Sequence, residues 1–330
     1  MSCKNILKEK INIINKFIKK YIFKLNNLET ILYNKTYINY NNINAFNLST
    51  RCNNDHNNKV RENIICAIIN NKISNNYYKY SPRWNRLKEQ LNIYIKNICL
   101  NFDNNITINN IKCLHKAGRN NNYDFNIIIN DTIEFNIEFK FNVECVSKTP
   151  QFVSPMKPSQ YINNNCSYEE YYYDNYLNII EDYGFKLPLK TEYLKNIHSP
   201  KPKCIIELQK KYYNGCKQSS KFTGIDNDIE FYNKMIENSN KSIKNYIINS
   251  DLNIDKLNKY LLESQKNKYY MLFKNNYIYF ETVDLDNYII KNYKKEKNRY
   301  VAVTKSGVEM KILLRWKNGN GIAFPAFQIS

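Results

Sequence analysis

From Ile133 to Phe141 the chain carries an apolar residue at every odd position and a polar one at every even position. A period of two belongs to an extended strand, whose successive side chains point to opposite sides; a helix would scatter these residues around its axis. The pattern predicts a strand that buries Ile133, Phe135, Ile137, Phe139 and Phe141 and sets Glu134, Asn136, Glu138 and Lys140 on the other face. Tyr123-Asp124-Phe125-Asn126-Ile127 alternates in the same way, with Asp124 and Asn126 on its polar side. The two stretches predict a hairpin, and its connection decides whether the polar faces coincide, because a slip of one residue inverts a strand. A two-residue turn at Asn130-Asp131 pairs Asp124 with Ile137 and separates the carboxylates, whereas a loop of Asn130, Asp131 and Thr132 pairs Asp124 with Glu138. Asn and Asp tolerate the left-handed backbone such a loop needs, so the longer loop is expected.

That register predicts two carboxylates and an ammonium close together on one rigid surface. Carboxylate oxygens are hard ligands suited to Mg²⁺, which keeps its other positions for water and phosphate oxygens. Asp124 and Glu138 are the expected metal ligands, with Mn²⁺ as a substitute, and Lys140 offsets charge in the transition state or orients the nucleophile. The competing reading is an amphipathic hairpin whose polar face is merely wet.

Asp124 together with Glu138-Phe139-Lys140 resembles the motif of the PD-(D/E)XK nuclease superfamily, with Tyr123 standing where the motif's name has proline. The resemblance covers Arg61 to Tyr161. It implies an α/β fold with a restriction-endonuclease-like mixed sheet flanked by helices, Asp124 and Glu138 holding metal on the second and third strands, and Lys140 as the catalytic lysine. Members often add an acidic residue from the helix before the sheet. Glu62 is the first candidate and Glu89 the second, each otherwise a solvated helix charge; Gln151 or Gln160 would serve as the glutamine common after the motif. A second triplet, Glu309-Met310-Lys311, lies on another expected strand, but its neighbour Arg299 to Thr304 offers no aspartate.

The formal charge of +19 points to a polyanionic partner, since Lys and Arg gain free energy by releasing counterions from nucleic acid. An A/T-rich coding sequence would raise lysine, asparagine, isoleucine and tyrosine together and gives the same charge without function. Lys116 and Arg119, around Gly118 in the turn before the Asp124 strand, and Arg315 and Lys317, near the last turn, are the expected nucleic-acid contacts.

The organisation follows from changes of period. Leu7, Ile11, Ile14, Ile18, Tyr21, Leu25 and Leu28 form one helical stripe, a docking helix or the seam of a homodimer, and an Asn-rich linker follows, so residues 1–58 read as an N-terminal helical segment. Residues 59–185 are the expected nuclease core, with helices around Arg61 to Ile69 and from Pro82 to about Cys99. Ser167 and Glu170 have the form of a capping box, with Gly184 as a stop. A helical region over 186–268 and a C-terminal β-meander over 269–330 complete the chain. The meander begins with a hairpin around Lys274, Asn275 and Asn276 and turns again at Ser306-Gly307 and Asn318-Gly319.

Several chemistries lack their residues. No Gly-x-x-x-x-Gly-Lys loop occurs among the 7 glycines, and no C-x-x-C pair among the 9 cysteines, which excludes a P-loop and the zinc deaminase signature. Asp55-His56-Asn57 has no second histidine at HNH spacing. Irregular cysteine spacing, no signal-like start and no long apolar run predict an intracellular protein with reduced thiols, neither membrane-bound nor dependent on a small-molecule cofactor. The expected function is Mg²⁺-dependent hydrolysis of DNA, most simply by an endonuclease. The alternatives are a non-catalytic nucleic-acid-binding or scaffold protein retaining the nuclease-like hairpin, and a virion or chromatin protein in which only charge matters.

Overall fold

The structure, a computed structural model, describes residues 10–16, 29–47, 54–116, 121–148, 151–153, 157–199, 203–317 and 319–330. Most of the N-terminal stripe, and with it the homodimer expected there, lies outside the described residues; residues 10–16 are helical, with Ile11, Ile13 and Ile14 exposed. The class is mixed α/β. Two compact units divide the chain, the first comprising residues 1–117, 123–144 and 269–281 and the second residues 118–122, 145–268 and 282–330.

The first unit opens with the hairpin β1 (Ile31–Tyr33) and β2 (Thr36–Ile38), then helices α1 (Asn54–Ile69), α2 (Asn75–Tyr80) and α3 (Pro82–Phe102), and strands β3 (Ile111–His115), β4 (Phe125–Ile129) and β5 (Ile133–Phe141). Its sheet is completed by β9 (Lys268–Lys274) and β10 (Tyr277–Glu281), in the order β10-β9-β5-β4-β3. Local chemistry sets the helix ends. Ser81 caps α3 by accepting from the Trp84 N–H, and Pro82, with no N–H to satisfy, takes the first turn. At the other end of α1, Asn71 takes a left-handed φ of 52°, Lys72 N–H reaches back to Ala67 O and Asn71 N–H to Ile68 O, a Schellman stop.

Leu87, Leu91, Tyr94, Ile95 and Ile98 make the buried stripe of α3, and with Ile64, Ile65 and Ile68 of α1 they cover the apolar face of the sheet. That face contributes Phe125, Ile127 and Ile129 from β4 and Phe135, Ile137 and Phe139 from β5. Inverting β5 would expose three side chains now 1%, 0% and 7% accessible. At about 1.5–3 kcal/mol each, that approaches the whole stability of an ordinary domain, so the hydrophobic alternation alone fixes the face.

The β4–β5 register pairs Phe125 with Ile137 and Ile129 with Ile133, which leaves Asn130, Asp131 and Thr132 as the connection. Asn130 and Asp131 are both left-handed, at φ 51° and 60°, and Thr132 N–H closes on Ile129 O at 3.2 Å. Thr132 is therefore the extra residue after a tight turn, and it sets the parity of the hairpin.

The second unit holds β6 (Gln151–Val153), β7 (Ile162–Asn163) and β8 (Asp251–Leu252), and strands β11 (Ile290–Glu296), β12 (Arg299–Thr304), β13 (Glu309–Trp316) and β14 (Pro325–Ile329), with sheet order β11-β12-β13-β14-β6. Its helices are α4 (Tyr168–Tyr176), α5 (Lys190–Asn196), α6 (Ile206–Gly215), α7 (Asp226–Ile248) and α8 (Ile254–Gln265). The capping box of Ser167 and Glu170 forms as expected, and Gly184 ends the following turn at φ 79°. Tyr168, Tyr172, Tyr246 and Trp316 pack together, with Tyr168 Oη bonded to Ser242 Oγ and accepting from Trp316 Nε1, so Tyr168 and Tyr172 of α4 build core. Gly215 lets α6 lie against Asp228 O of α7, where a Cβ would collide.

The expected C-terminal meander is divided. Its first hairpin, β9–β10, joins the first unit's sheet, while β11 to β14 form the sheet of the second, and residues 145–185 belong to the second unit rather than to the β3–β5 core. The period-two pattern reveals that a strand exists, but its partner depends on long-range packing that the pattern does not contain. The β9–β10 turn is also shorter than expected, with Lys274 paired to Tyr277 and only Asn275 and Asn276 between, both left-handed.

Arg61 ties the first unit together. It is fully buried, its Nε donates to Ala45 O at 2.6 Å and its Nη1 to Asn58 Oδ1 at 2.6 Å, and its guanidinium lies 3.4 Å from the centre of the Phe141 ring. Burial lowers its pKa to about 10, so it is still charged at neutral pH. Arg61→Ala strands the Ala45 carbonyl and empties the space over Phe141; it should cost roughly 2–4 kcal/mol and lower the thermal midpoint by roughly 10 °C. A midpoint within about 2 °C of the parent would contradict this role.

Candidate metal and catalytic site

Asp124 sits immediately before β4. Extrapolated, the hairpin register sets it opposite Glu138, but its N–H donates to Ile137 O at 2.8 Å, its carbonyl accepts from Lys116 N–H at 2.8 Å, and its carboxylate Oδ2 accepts from Phe139 N–H at 2.8 Å. The side chain thus takes a ladder position that a backbone carbonyl would otherwise fill. This clamps the carboxylate to the middle of the Glu138-Phe139-Lys140 triplet.

Glu138 and Lys140 lie two residues apart on β5, and their side chains pair at 2.7 Å (Lys140 Nζ to Glu138 Oε1), each about one-fifth exposed. Further along the hairpin, Asn126 Nδ2 of β4 donates to Glu134 Oε2 and Asn136 Oδ1 of β5, both at 3.2 Å, a separate satisfied polar group. From α1, Glu62 Oε2 stands 2.7 Å from His115 Nε2 at the end of β3.

These groups share one field. Burial, the charge of Glu138 and the charge of Glu62 together raise the Asp124 pKa to about 7, against the lowering effects of the Phe139 N–H and Lys140. Two observations bear on the fit of a divalent cation. Among the described residues, Lys140 and the Phe139 N–H offset part of the carboxylate charge around Asp124, and a cation would relieve the rest. Among the described residues no group of three or more His, Cys, Asp and Glu forms a protein-only metal cage, so a cation here would complete its shell from water and substrate, as Mg²⁺ commonly does.

The sequence candidates separate clearly. Glu138, Lys140 and Glu62 all act electrostatically on Asp124, whereas Glu89 is exposed on α3 and accepts from Asn85 Nδ2. Gln151 and Gln160 belong to the second unit, as do Arg315 and Lys317. Arg315 donates to Gln328 Oε1 at 2.8 Å and to the Trp316 carbonyl, and Lys317 lies over the Phe324 ring. Lys116 holds Asp124 through its backbone; Arg119 lies outside the described residues. In the Glu309-Met310-Lys311 triplet of β13, Glu309 and Lys311 are exposed with their charges 3.8 Å apart, and Met310 between them is buried.

Sequence reasoning missed the partnership of Glu62 with His115. Its only trace in the sequence is a histidine at the end of the strand next to the Asp124 strand, and the pairing requires knowing which helix turn overlies that strand end. It also missed Cys66 and Cys113, one turn beyond Glu62 and two residues before His115, whose sulfurs approach to 3.0 Å in the core. Hydrogen bonding with Cys113, then burial, raises the Cys66 pKa far beyond the ordinary thiol range, so neither burial nor reactivity favours a thiolate there.

The Asp124 carboxyl ionises near its ordinary value when unfolded but only near pH 7 when folded. Between those values the folded state holds the extra proton, so this group's contribution to stability is full at low pH, falls as pH rises, and is lost above about 7. Asp124→Asn keeps an acceptor for the Phe139 N–H and removes the charge. In EDTA it should stabilise the protein at pH 8 by on the order of 2–4 kcal/mol and change little at pH 4. Thermal melts at the two pH values check this, and equal shifts at both would contradict it.

Comparison with known protein families, with curated proteins and with solved structures gives no match.

Proposed function

We propose that the protein is a Mg²⁺-dependent nuclease that hydrolyses phosphodiester bonds of DNA at the Glu62, Asp124, Glu138 and Lys140 cluster. The observation that carries this reading is the convergence of carboxylate charge on Asp124 beside a lysine two residues from Glu138. Asp124 precedes the second strand of the β3–β4–β5 meander and Glu138 and Lys140 lie on the third, which fits the arrangement implied by the PD-(D/E)XK resemblance.

Asp124 and Glu138 would hold Mg²⁺, which when bound polarises the phosphodiester and helps ionise the attacking water. Phe139 N–H fixes the Asp124 carboxylate, so the ligand is oriented before substrate arrives. Lys140 is held by Glu138 and can turn to a phosphoryl oxygen as negative charge builds there, or orient the water for attack. Glu62, against His115, supplies a third carboxylate from the helix side and can accept the proton lost by that water.

A second reading rests on the closed Lys140–Glu138 pair, which satisfies both charges without metal or substrate. It describes a nucleic-acid-binding or scaffold protein that retains the hairpin without turnover. Plasmid and linear DNA incubated with Mg²⁺, Mn²⁺ or EDTA separate the two. Cutting that needs metal and falls at least about 100-fold in Lys140→Ala supports the enzyme. Binding without cutting under any metal supports the scaffold. Glu138→Ala, which removes negative charge facing phosphate, should bind DNA as tightly as the parent or more so.

A further inference from the structure

The outer edge of β3 borders a cleft of about 740 Å³, lined in part by Tyr33, Asn70, Lys72, Lys112, His115 and Lys116, all of the first unit. Lys72 and Lys112 are exposed, and among the described residues neither ammonium has a carboxylate partner. The acid at the rim, Asp131, is engaged by Asn110 Nδ2 at 2.9 Å. Lys112 and Lys116 are four residues apart along an extended chain, roughly 13 Å, too far apart for a single phosphate to contact both. Such a row matches a repeating polyanion better than a single ion. One end of the cleft reaches His115, the partner of Glu62.

β3 is the last strand of its sheet, and an open edge ordinarily recruits a peptide strand. Here Asn70 closes it. The Asn70 amide donates to Cys113 O at 2.8 Å and accepts from Cys113 N–H at 2.8 Å, occupying the outward ladder groups at the centre of the strand, and donates also to Tyr33 Oη. An added peptide would have to displace it, whereas a phosphate backbone needs only the cations.

We propose that this cleft is the track of the sugar-phosphate backbone of a nucleic-acid strand, with Lys72 and Lys112 on its phosphates, leading toward the carboxylate cluster. The proposal rests on the nuclease reading for its direction, but its contacts are tested separately. Both lysines are exposed, so the double variant Lys72→Ala/Lys112→Ala retains the fold. In EDTA, anisotropy with a labelled single-stranded oligonucleotide should show its Kd raised about tenfold, and the slope of log Kd against log salt reduced by about 1.4, the value for two lost phosphate contacts. In Mg²⁺ the variant should show raised KM with kcat close to the parent. An unchanged Kd and slope would overturn the track even if the parent cuts DNA. Displacement of the oligonucleotide by a polyglutamate peptide as readily as by unlabelled oligonucleotide, or by inorganic phosphate at equal phosphate concentration, would also overturn it, in favour of a peptide or a simple anion site. Lost binding and slope in the variant, with no cutting by the parent under any metal, would leave the track standing and remove the nuclease reading.

Discussion

A single hydrogen bond, from the Phe139 N–H to the Asp124 carboxylate, gives the site its form. It takes a strand's ladder donor and turns it on a side chain, so that Asp124 is fixed to the backbone of the triplet that carries Glu138 and Lys140. A carboxylate so held cannot swing away from its neighbours, and the repulsion it feels from Glu138 and Glu62 is built in. The surrounding structure bears that cost through Phe125, Ile127, Phe135 and Ile137, buried under α1 and α3. Arg61, one residue before Glu62, anchors the same helix turn to Ala45 and Phe141 and so fixes the distance at which Glu62 approaches. Storing electrostatic strain on a rigid apolar platform is the usual way a protein prepares a place for a cation or a developing charge.

Much of this was legible in the chain because it is local. Alternation from Ile133 to Phe141 determines which residues are buried, and left-handed Asn130 and Asp131 with Thr132 behind them set the hairpin's parity, so the pairing of Phe125 with Ile137 follows from a few residues. The capping box at Ser167 and the helix start at Pro82 are likewise written in adjacent side chains. The detail at Asp124 was not legible. Its N–H bonds Ile137 rather than Glu138, because the side chain, not the backbone, meets Phe139, and alternation carries no information about such an exchange. The destination of β9–β10 was equally hidden, since a hairpin of Tyr, Phe and Ile can pair with either sheet and the choice is made by contacts with residues more than a hundred positions away.

The buried face and the outer edge of β3 have contrasting chemistry. Inward, Cys113 meets Cys66 in the core; outward, the strand is closed by Asn70 and flanked by lysines. On the proposed nuclease reading, positive groups on the approach and negative groups at the end would suit a polyanionic substrate, because attraction over the length of the cleft would offset repulsion at the carboxylates until a cation is bound. Net charge of +19 is then less informative than where particular lysines stand: Lys317 packs on Phe324, while Lys72 and Lys112 line the cleft.

The most direct test of the account is the titration of the Asp124 side-chain carboxyl, followed by ¹³C NMR with and without Mg²⁺. A midpoint near 7 is expected in metal-free protein, falling by more than one unit on adding saturating Mg²⁺ as the cation replaces the proton beside Asp124. A midpoint in the ordinary aspartate range, unmoved by Mg²⁺, would contradict it.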